Sequence, residues 1–274
     1  MKTRIREKTA YLIVFLLSIV FFGWFAFNFY TLEPGDRSLE LYSDSYWIIG
    51  LVGALYGLSV SKAWGGLKSL FGKSLFFFSL GLFAQVFGQI TYTYFALVKG
   101  VEAPYPSVGD IGFFGSILFY LGGLLYLKRA LGTKFILATT IKKIISIVLP
   151  LLILAGSYFV FLRDYESSGA TIATFLDFGY PLGQAFYISV AVLIYLMSFK
   201  ALGGIMKNKI LLLILALVLQ YVADFMFLYR FSKDEWYTGG FNDFMYQLAY
   251  LVMTIALLRI GSTARKLMVK TTDK

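Results

Sequence analysis

KILLLILALVLQYVADFMFLY, residues 209–229, decides the fold. Between Lys209 at its start and Arg230 just beyond its end, Asp224 is the one charged side chain. Wound as an α-helix at ~1.5 Å per residue, the stretch covers the ~30 Å hydrocarbon core of a bilayer. Seven more apolar stretches of similar length flank it, near residues 11–30, 45–61, 74–98, 108–127, 144–162, 173–199 and 243–261. The chain as a whole is 59% hydrophobic and only 15% charged, with a mean hydropathy of +0.75. A soluble domain carries roughly 25% charge, so the bilayer is this chain's solvent. The expected fold is an all-α integral membrane protein of eight transmembrane helices.

The charges between the stretches set the orientation. Segments on the side of the N-terminus hold 20 of the 25 Lys and Arg, among them Lys62, Lys68, Lys73, Lys128, Arg129, Lys142, Lys200, Lys207, Arg265 and Lys266. Acidic residues concentrate on the opposite side, including Glu33, Asp36, Glu102, Asp110, Asp164, Glu166, Asp177, Asp234 and Asp243. Short loops rich in Lys and Arg stay in the cytoplasm, so both termini are expected there. The net charge of +10 is thereby a topology signal, and no nucleic-acid partner is expected. The first stretch follows Lys2, Arg4, Arg6 and Lys8 as a signal peptide would. It is long enough to span and lacks a small-x-small cleavage site, so it reads as a retained helix.

The chain has no Cys and no His. That excludes disulfides, thiolate and imidazole metal ligands, Cys or His nucleophiles and a His-ligated haem. Every Lys lies in a loop or at a helix end, which excludes a Schiff-base retinal site. No motif identifies a cofactor.

Lys62-Ala63-Trp64-Gly65-Gly66 recurs as Lys200-Ala201-Leu202-Gly203-Gly204, each at the inner end of a helix and ahead of a hydrophobic hairpin. Aligning the hairpins places Gln85 on Gln220, Gln89 on Asp224, Tyr94 on Tyr229 and Asp110 on Asp243. The chain reads as one transmembrane domain of two parallel four-helix repeats, about 10–131 and 141–262, with 263–274 a short cytoplasmic tail.

Polar residues inside these helices are the candidate site. Gln85 and Gln89 share a face of the third helix, and Gln220 and Asp224 repeat that spacing on the seventh. An ionised carboxylate in lipid costs at least ~2.5–3.5 kcal/mol, so Asp224 must face the bundle, be protonated, or meet a cation or a hydrogen-bond donor. Ser107 and Asp110 form a capping-box pattern at the start of the fourth helix, and Thr174 with Asp177 makes a similar pattern ahead of the sixth. The run Asp177–Gln184, with Pro181, loosens the first turns of the sixth helix, and Pro150 kinks the fifth. Tyr92, Tyr94, Tyr180, Tyr187, Tyr229, Tyr246 and Tyr250 fall near the same outer level. The ligand-binding candidates are therefore Gln85, Gln89, Tyr92, Asp110, Tyr180, Gln184, Gln220, Asp224, Asp243 and Tyr246. Two readings of them stay open. The amides can be interhelical glue and the tyrosines an aromatic belt, or together they line an outward-facing pocket.

The turn Pro104-Tyr105-Pro106-Ser107 with Asp110, the run Tyr180-Pro181-Leu182-Gly183, and Ala223-Asp224 followed by Tyr229, Gly239 and Asp243 occur in an informative order. In these features residues 45–261 resemble the N-terminal transmembrane sensor region that precedes diguanylate cyclase, phosphodiesterase or histidine kinase domains in prokaryotic signalling proteins. The resemblance implies a multi-pass protein of a prokaryotic plasma membrane that receives an external or membrane-borne signal. Where that family often has Gly-Asp, this chain has Gly183-Gln184 and Gly88-Gln89. About a dozen mostly polar residues follow the last helix, so the response is expected from a separate cytoplasmic partner. A small-solute or ion transporter is the alternative, and an integral membrane enzyme acting on lipid through Asp224, Asp110 and Asp243 a third. No nucleophile motif supports an enzyme. The sequence leaves the ligand and the oligomeric state open.

Overall fold

A computed structural model describes residues 2–132, 140–162, 171–198 and 204–272. Among the described residues there are helices and no strands: α1 (Lys2–Thr31), α2 (Arg37–Ser43), α3 (Trp47–Ala63), α4 (Leu70–Tyr94), α5 (Val108–Ala130), α6 (Thr140–Ser157), α7 (Thr171–Ser198), α8 (Lys207–Phe231) and α9 (Phe241–Thr272). Seven helical segments among them are long and apolar enough to cross a membrane. The short α2 joins α3 in one of these, Arg37–Ala63. The α6 region contributes a shorter apolar helix, Ile147–Val160.

The radial distribution of side chains is that of a membrane protein. Phe15, Ile111, Leu118 and Phe186 are each more than half exposed, while Ser74, Ser79, Ser116, Gln247 and Thr254 are fully buried. A water-soluble bundle sorts these types the other way. Lipid removes the penalty for apolar exteriors and drives hydrogen-bonding groups inward. The chain is a helical, multi-pass membrane protein.

Two antiparallel hairpins, α4–α5 and α8–α9, form the centre. Helix α3 packs on α4 and on α9, α7 packs on α5, α6 and α8, and α1 lies against α2, α3 and α9. Glycine sets how closely the helices approach. A Cβ at Gly112 would stand 2.8 Å from the backbone nitrogen of Gly88, so α4 and α5 touch backbone to backbone. Small residues at such crossings gain van der Waals contact where no hydrophobic force holds helices together.

Several local expectations are corrected. Helix α1 is longer than residues 11–30, since nothing in Lys2–Ala10 breaks a helix. Thr174 and Asp177 lie inside α7, which already begins at Thr171, so no cap forms there; Thr171–Ala173 simply extends the helix. Pro181 neither ends α7 nor separates its first turns. Proline is tolerated in membrane helices because neighbouring groups re-satisfy the freed carbonyl. Helix α9 does not stop near 262 but continues to Thr272, because Ser262–Lys270 holds no Pro or Gly. Lys200, Ala201, Leu202 and Gly203 of the second Lys-Ala-Leu-Gly-Gly segment, with Asp164, Glu166 and Ser168, lie outside the described residues.

Candidate functional site

The polar side chains gather toward one end of the bundle, where α5 and α9 begin and α4 and α8 finish. Gly239, at φ +78°, turns the chain into α9 and lies so close to Leu39 that a Cβ would stand 2.7 Å from its carbonyl carbon. Its N–H donates to Asp243 Oδ2 at 2.6 Å. The other carboxylate oxygen accepts the phenol of Tyr46 at 3.1 Å, and that phenol oxygen accepts Gln89 Nε2 at 2.9 Å. One turn earlier, Tyr42 donates to Gln247 Oε1 at 2.6 Å. Both tyrosines are fully buried.

Asp224 stands on α8, 9% exposed. Its Oδ1 accepts Gln220 Nε2 at 3.1 Å and the phenol of Tyr246 at 2.9 Å. Among the described residues no Lys or Arg pairs with Asp224 or Asp243. Phenols, amides and a backbone N–H do the work a cation would do elsewhere. One turn from Tyr246, Tyr250 donates to Gln85 Oε1 at 3.2 Å; Gln85 Nε2 donates to Ser116 Oγ at 2.7 Å, and Ser116 donates to the Phe113 carbonyl at 2.7 Å. The Tyr250 ring lies 5.9 Å from Tyr46 and 6.5 Å from Tyr246. These rings join the Asp243, Asp224 and Gln85 clusters into one polar and aromatic core.

Asp110 is the centre of a third carboxylate cluster. Its Oδ2 accepts the Ser107 N–H at 2.7 Å, and Ser107 Oγ accepts the Gly109 N–H at 3.1 Å, closing the capping box. Its Oδ1 remains for the phenol of Tyr180, at 2.7 Å. Next to it Tyr105 donates to Asp177 Oδ1 at 2.6 Å. Partial burial together with this hydrogen bond pushes the Tyr105 phenol up. Tyr92 packs its ring on Phe113 at 5.4 Å.

Of the ten candidates, Gln89 meets Asp243 through Tyr46; Gln220, Asp224 and Tyr246 bond directly; Asp110 and Tyr180 bond directly with Tyr92 nearby; and Gln85 joins Tyr250. Gln184 is buried on α7 and takes no part in these bonds. Tyr94 and Tyr229 are more than two-fifths exposed and face outward, as belt residues do. Sequence reasoning missed Tyr42, Tyr46, Ser116, Asn242 and Gln247. Gln247 carried a readable signal, a lone amide four residues beyond Asp243 on the same face. Among the described residues Asn242, 1% exposed, finds no hydrogen-bond partner for either amide atom, and Gln247 finds none for its Nε2.

The arrangement is a buried cluster of hydrogen-bonding groups. It offers carboxylate acceptors, phenols able to donate or accept, and spare amide atoms. Among the described residues no group of three metal-ligating side chains assembles. In comparisons with known proteins, the chain matches no family model, no curated protein and no solved structure.

Proposed function

We propose that this chain is a membrane-embedded sensory or ligand-binding module. It consists of eight spanning helices in two parallel four-helix repeats, with the α6 region as the eighth span and both termini in the cytoplasm of a prokaryote. Its polar and aromatic end faces outward, and it signals through a separate cytoplasmic partner.

One observation carries the reading. Tyr46, on the second helix of the first unit, bonds Asp243 at the start of the last helix of the second unit. Tyr180, on the second helix of the second unit, bonds Asp110 at the start of the last helix of the first. Asp110 and Asp243 are the pair aligned by the hairpins, and the Lys62/Lys200 register aligns Tyr180 with Tyr42, one turn from Tyr46. The correspondence extends one turn further. Tyr42 bonds Gln247, four residues past Asp243, and Tyr180 packs on Phe114, four residues past Asp110, at 5.8 Å. Each unit thus holds the capping carboxylate of the other.

Crossed latches of this kind suit a sensor. A ligand that takes the place of either phenol on its carboxylate changes how the two units engage, and the ligand's differential affinity for the two arrangements sets the response. Helix α9, unbroken from Phe241 to Thr272, connects the Asp243 latch to the basic end in one rod.

Native mass spectrometry of the detergent-purified protein beside an Asp224→Asn, Gln89→Leu variant tests this. A small molecule that co-purifies with the wild type and is lost in the variant supports the sensor. Equal spectra with a less stable variant would reduce the network to interhelical glue, and equal spectra with equal stability would remove both roles.

A further inference from the structure

At the basic end of the bundle, away from the carboxylate clusters, α4 and α5 bring two cations onto one ring. Lys73 Nζ stands 5.5 Å and the Arg129 guanidinium carbon 5.8 Å from the centre of the Tyr126 ring. Ser74 Oγ donates to the Gly123 carbonyl at 2.8 Å, which fixes the register of the start of α4 beside the end of α5. Gly115, Phe119, Gly122, Tyr126 and Arg129 follow one another at helical spacing and share one face of α5. Phe77 of α4 lies across that face. A Cβ at Gly122 would stand 2.9 Å from its ring, which stacks on Tyr126 at 5.4 Å and tilts against Phe119 at 6.3 Å. Nothing stands within 4 Å of a Cβ at Gly115, so the face is open there. Phe77, Phe119 and Tyr126 each keep part of their surface exposed. An aromatic seam thus starts at two cations and runs ~16 Å along α5 to Gly115.

Nothing on either helix neutralises the cations. Between Asp44 and Glu102, and between Asp110 and Asp164, the chain holds no Asp or Glu. Asp110, at the other end of α5, stands ~28 Å from Arg129 along the helix. Among the described residues neither Lys73 nor Arg129 forms an ion pair. The face of a phenol ring attracts each cation but supplies no countercharge. The negative end of α5 accounts for Arg129, yet Lys73 sits in the first turn of α4, at the positive end of that helix, where a cation is disfavoured and an anion favoured. The missing countercharge is negative, and the seam beside it is apolar.

We propose that this corner binds the phosphate headgroup of an anionic phospholipid through Lys73 and Arg129, with an acyl chain laid along Phe77 and Phe119 toward Gly115. The phosphate oxygens accept charge-assisted hydrogen bonds from both side chains, and the guanidinium can present two at once. A zwitterionic lipid carries the same phosphate together with a quaternary ammonium, which the two cations repel, so the net-negative head is selected. The bound lipid ties the start of α4 to the end of α5. The site shares no residue with the Asp110, Asp224 and Asp243 clusters and does not depend on the sensor reading.

Native mass spectrometry of the detergent-purified protein, with one lipid added at a time, measures the binding. Dioleoylphosphatidylglycerol should bind about thirtyfold more tightly than dioleoylphosphatidylcholine, the ~2 kcal/mol expected of two basic side chains. Lys73→Gln with Arg129→Gln should remove that preference. Lys62→Gln with Lys68→Gln takes the same charge from the same end of the bundle and should leave it. Should the first double variant fail to fold, Arg129→Gln alone, at an exposed position, should lower the preference about fivefold. Excess inorganic phosphate should not displace the lipid. Equal binding of the two lipids by the wild type would overturn the proposal. So would equal losses in the two double variants, which would leave only diffuse basic charge, or full displacement by inorganic phosphate, which would assign the corner to a free anion.

Discussion

Tyr46 and Asp243 are separated by 197 residues and joined by one hydrogen bond, buried at the point where α3 meets the first turn of α9. Tyr46→Phe removes a donor from Asp243 and the acceptor from Gln89. Leaving such buried groups unpaired costs ~1–3 kcal/mol. Thermal unfolding in detergent should show that loss, and a double-mutant cycle with Asp243→Asn should give a coupling of ~0.5–3 kcal/mol. Additive effects would mean the bond contributes nothing.

The second latch should behave as the first. Tyr180→Phe leaves Asp110 with its capping bonds to Ser107 and no phenol, and a loss similar to that of Tyr46→Phe is expected in the same assay. Combining the two variants should add their effects within ~0.5 kcal/mol if the latches share no partners. A Tyr180→Phe protein as stable as wild type would break the correspondence between the units.

Glycines separate close crossings from mere flexibility. A Cβ at Gly53 would meet Leu82 at 3.0 Å and collide with Thr254, whose hydroxyl bonds the Ile49 carbonyl. Gly53→Val should therefore cost ~1–3 kcal/mol through overpacking. Nothing stands within 4 Å of a Cβ at Gly115, so Gly115→Ala should stabilise by up to ~1 kcal/mol, the gain of alanine in a helix. The pair gives opposite signs in one thermal-shift experiment.

Much of the outcome was legible from the chain because lipid imposes simple rules. An apolar run like that around Asp224 has few options, and the i, i+4 spacing of Gln220 and Asp224 anticipated a bond the structure contains. The capping box at Ser107 was equally local. Tyr46 was not legible: it sits at the entrance of α3 among polar residues, and periodicity says nothing of a partner on α9. Thr174 and Asp177 misled because a capping pattern is a local signal, and the helix had already started at Thr171.

Asn242 offers a prediction of opposite sign to the latches. It is buried and both its amide atoms are unpaired among the described residues, so Asn242→Leu should stabilise the purified protein by ~1–3 kcal/mol of relieved desolvation, read as a higher melting temperature. A fall would mean that the amide meets a bound molecule at that depth, and the co-purified species should then disappear together with the stability.

The two-unit architecture underlies everything proposed for the outward face, and cysteine accessibility tests it most directly. The chain has no native Cys, so Ser168→Cys can be treated with a membrane-impermeant maleimide in intact cells, beside Lys233→Cys on the same expected side and Lys68→Cys on the other. Eight spans require Ser168→Cys and Lys233→Cys to label in intact cells and Lys68→Cys to label only after lysis. Labelling of both Ser168→Cys and Lys233→Cys only after lysis, like Lys68→Cys, would leave the α6 region uncrossed and contradict the paired four-helix units.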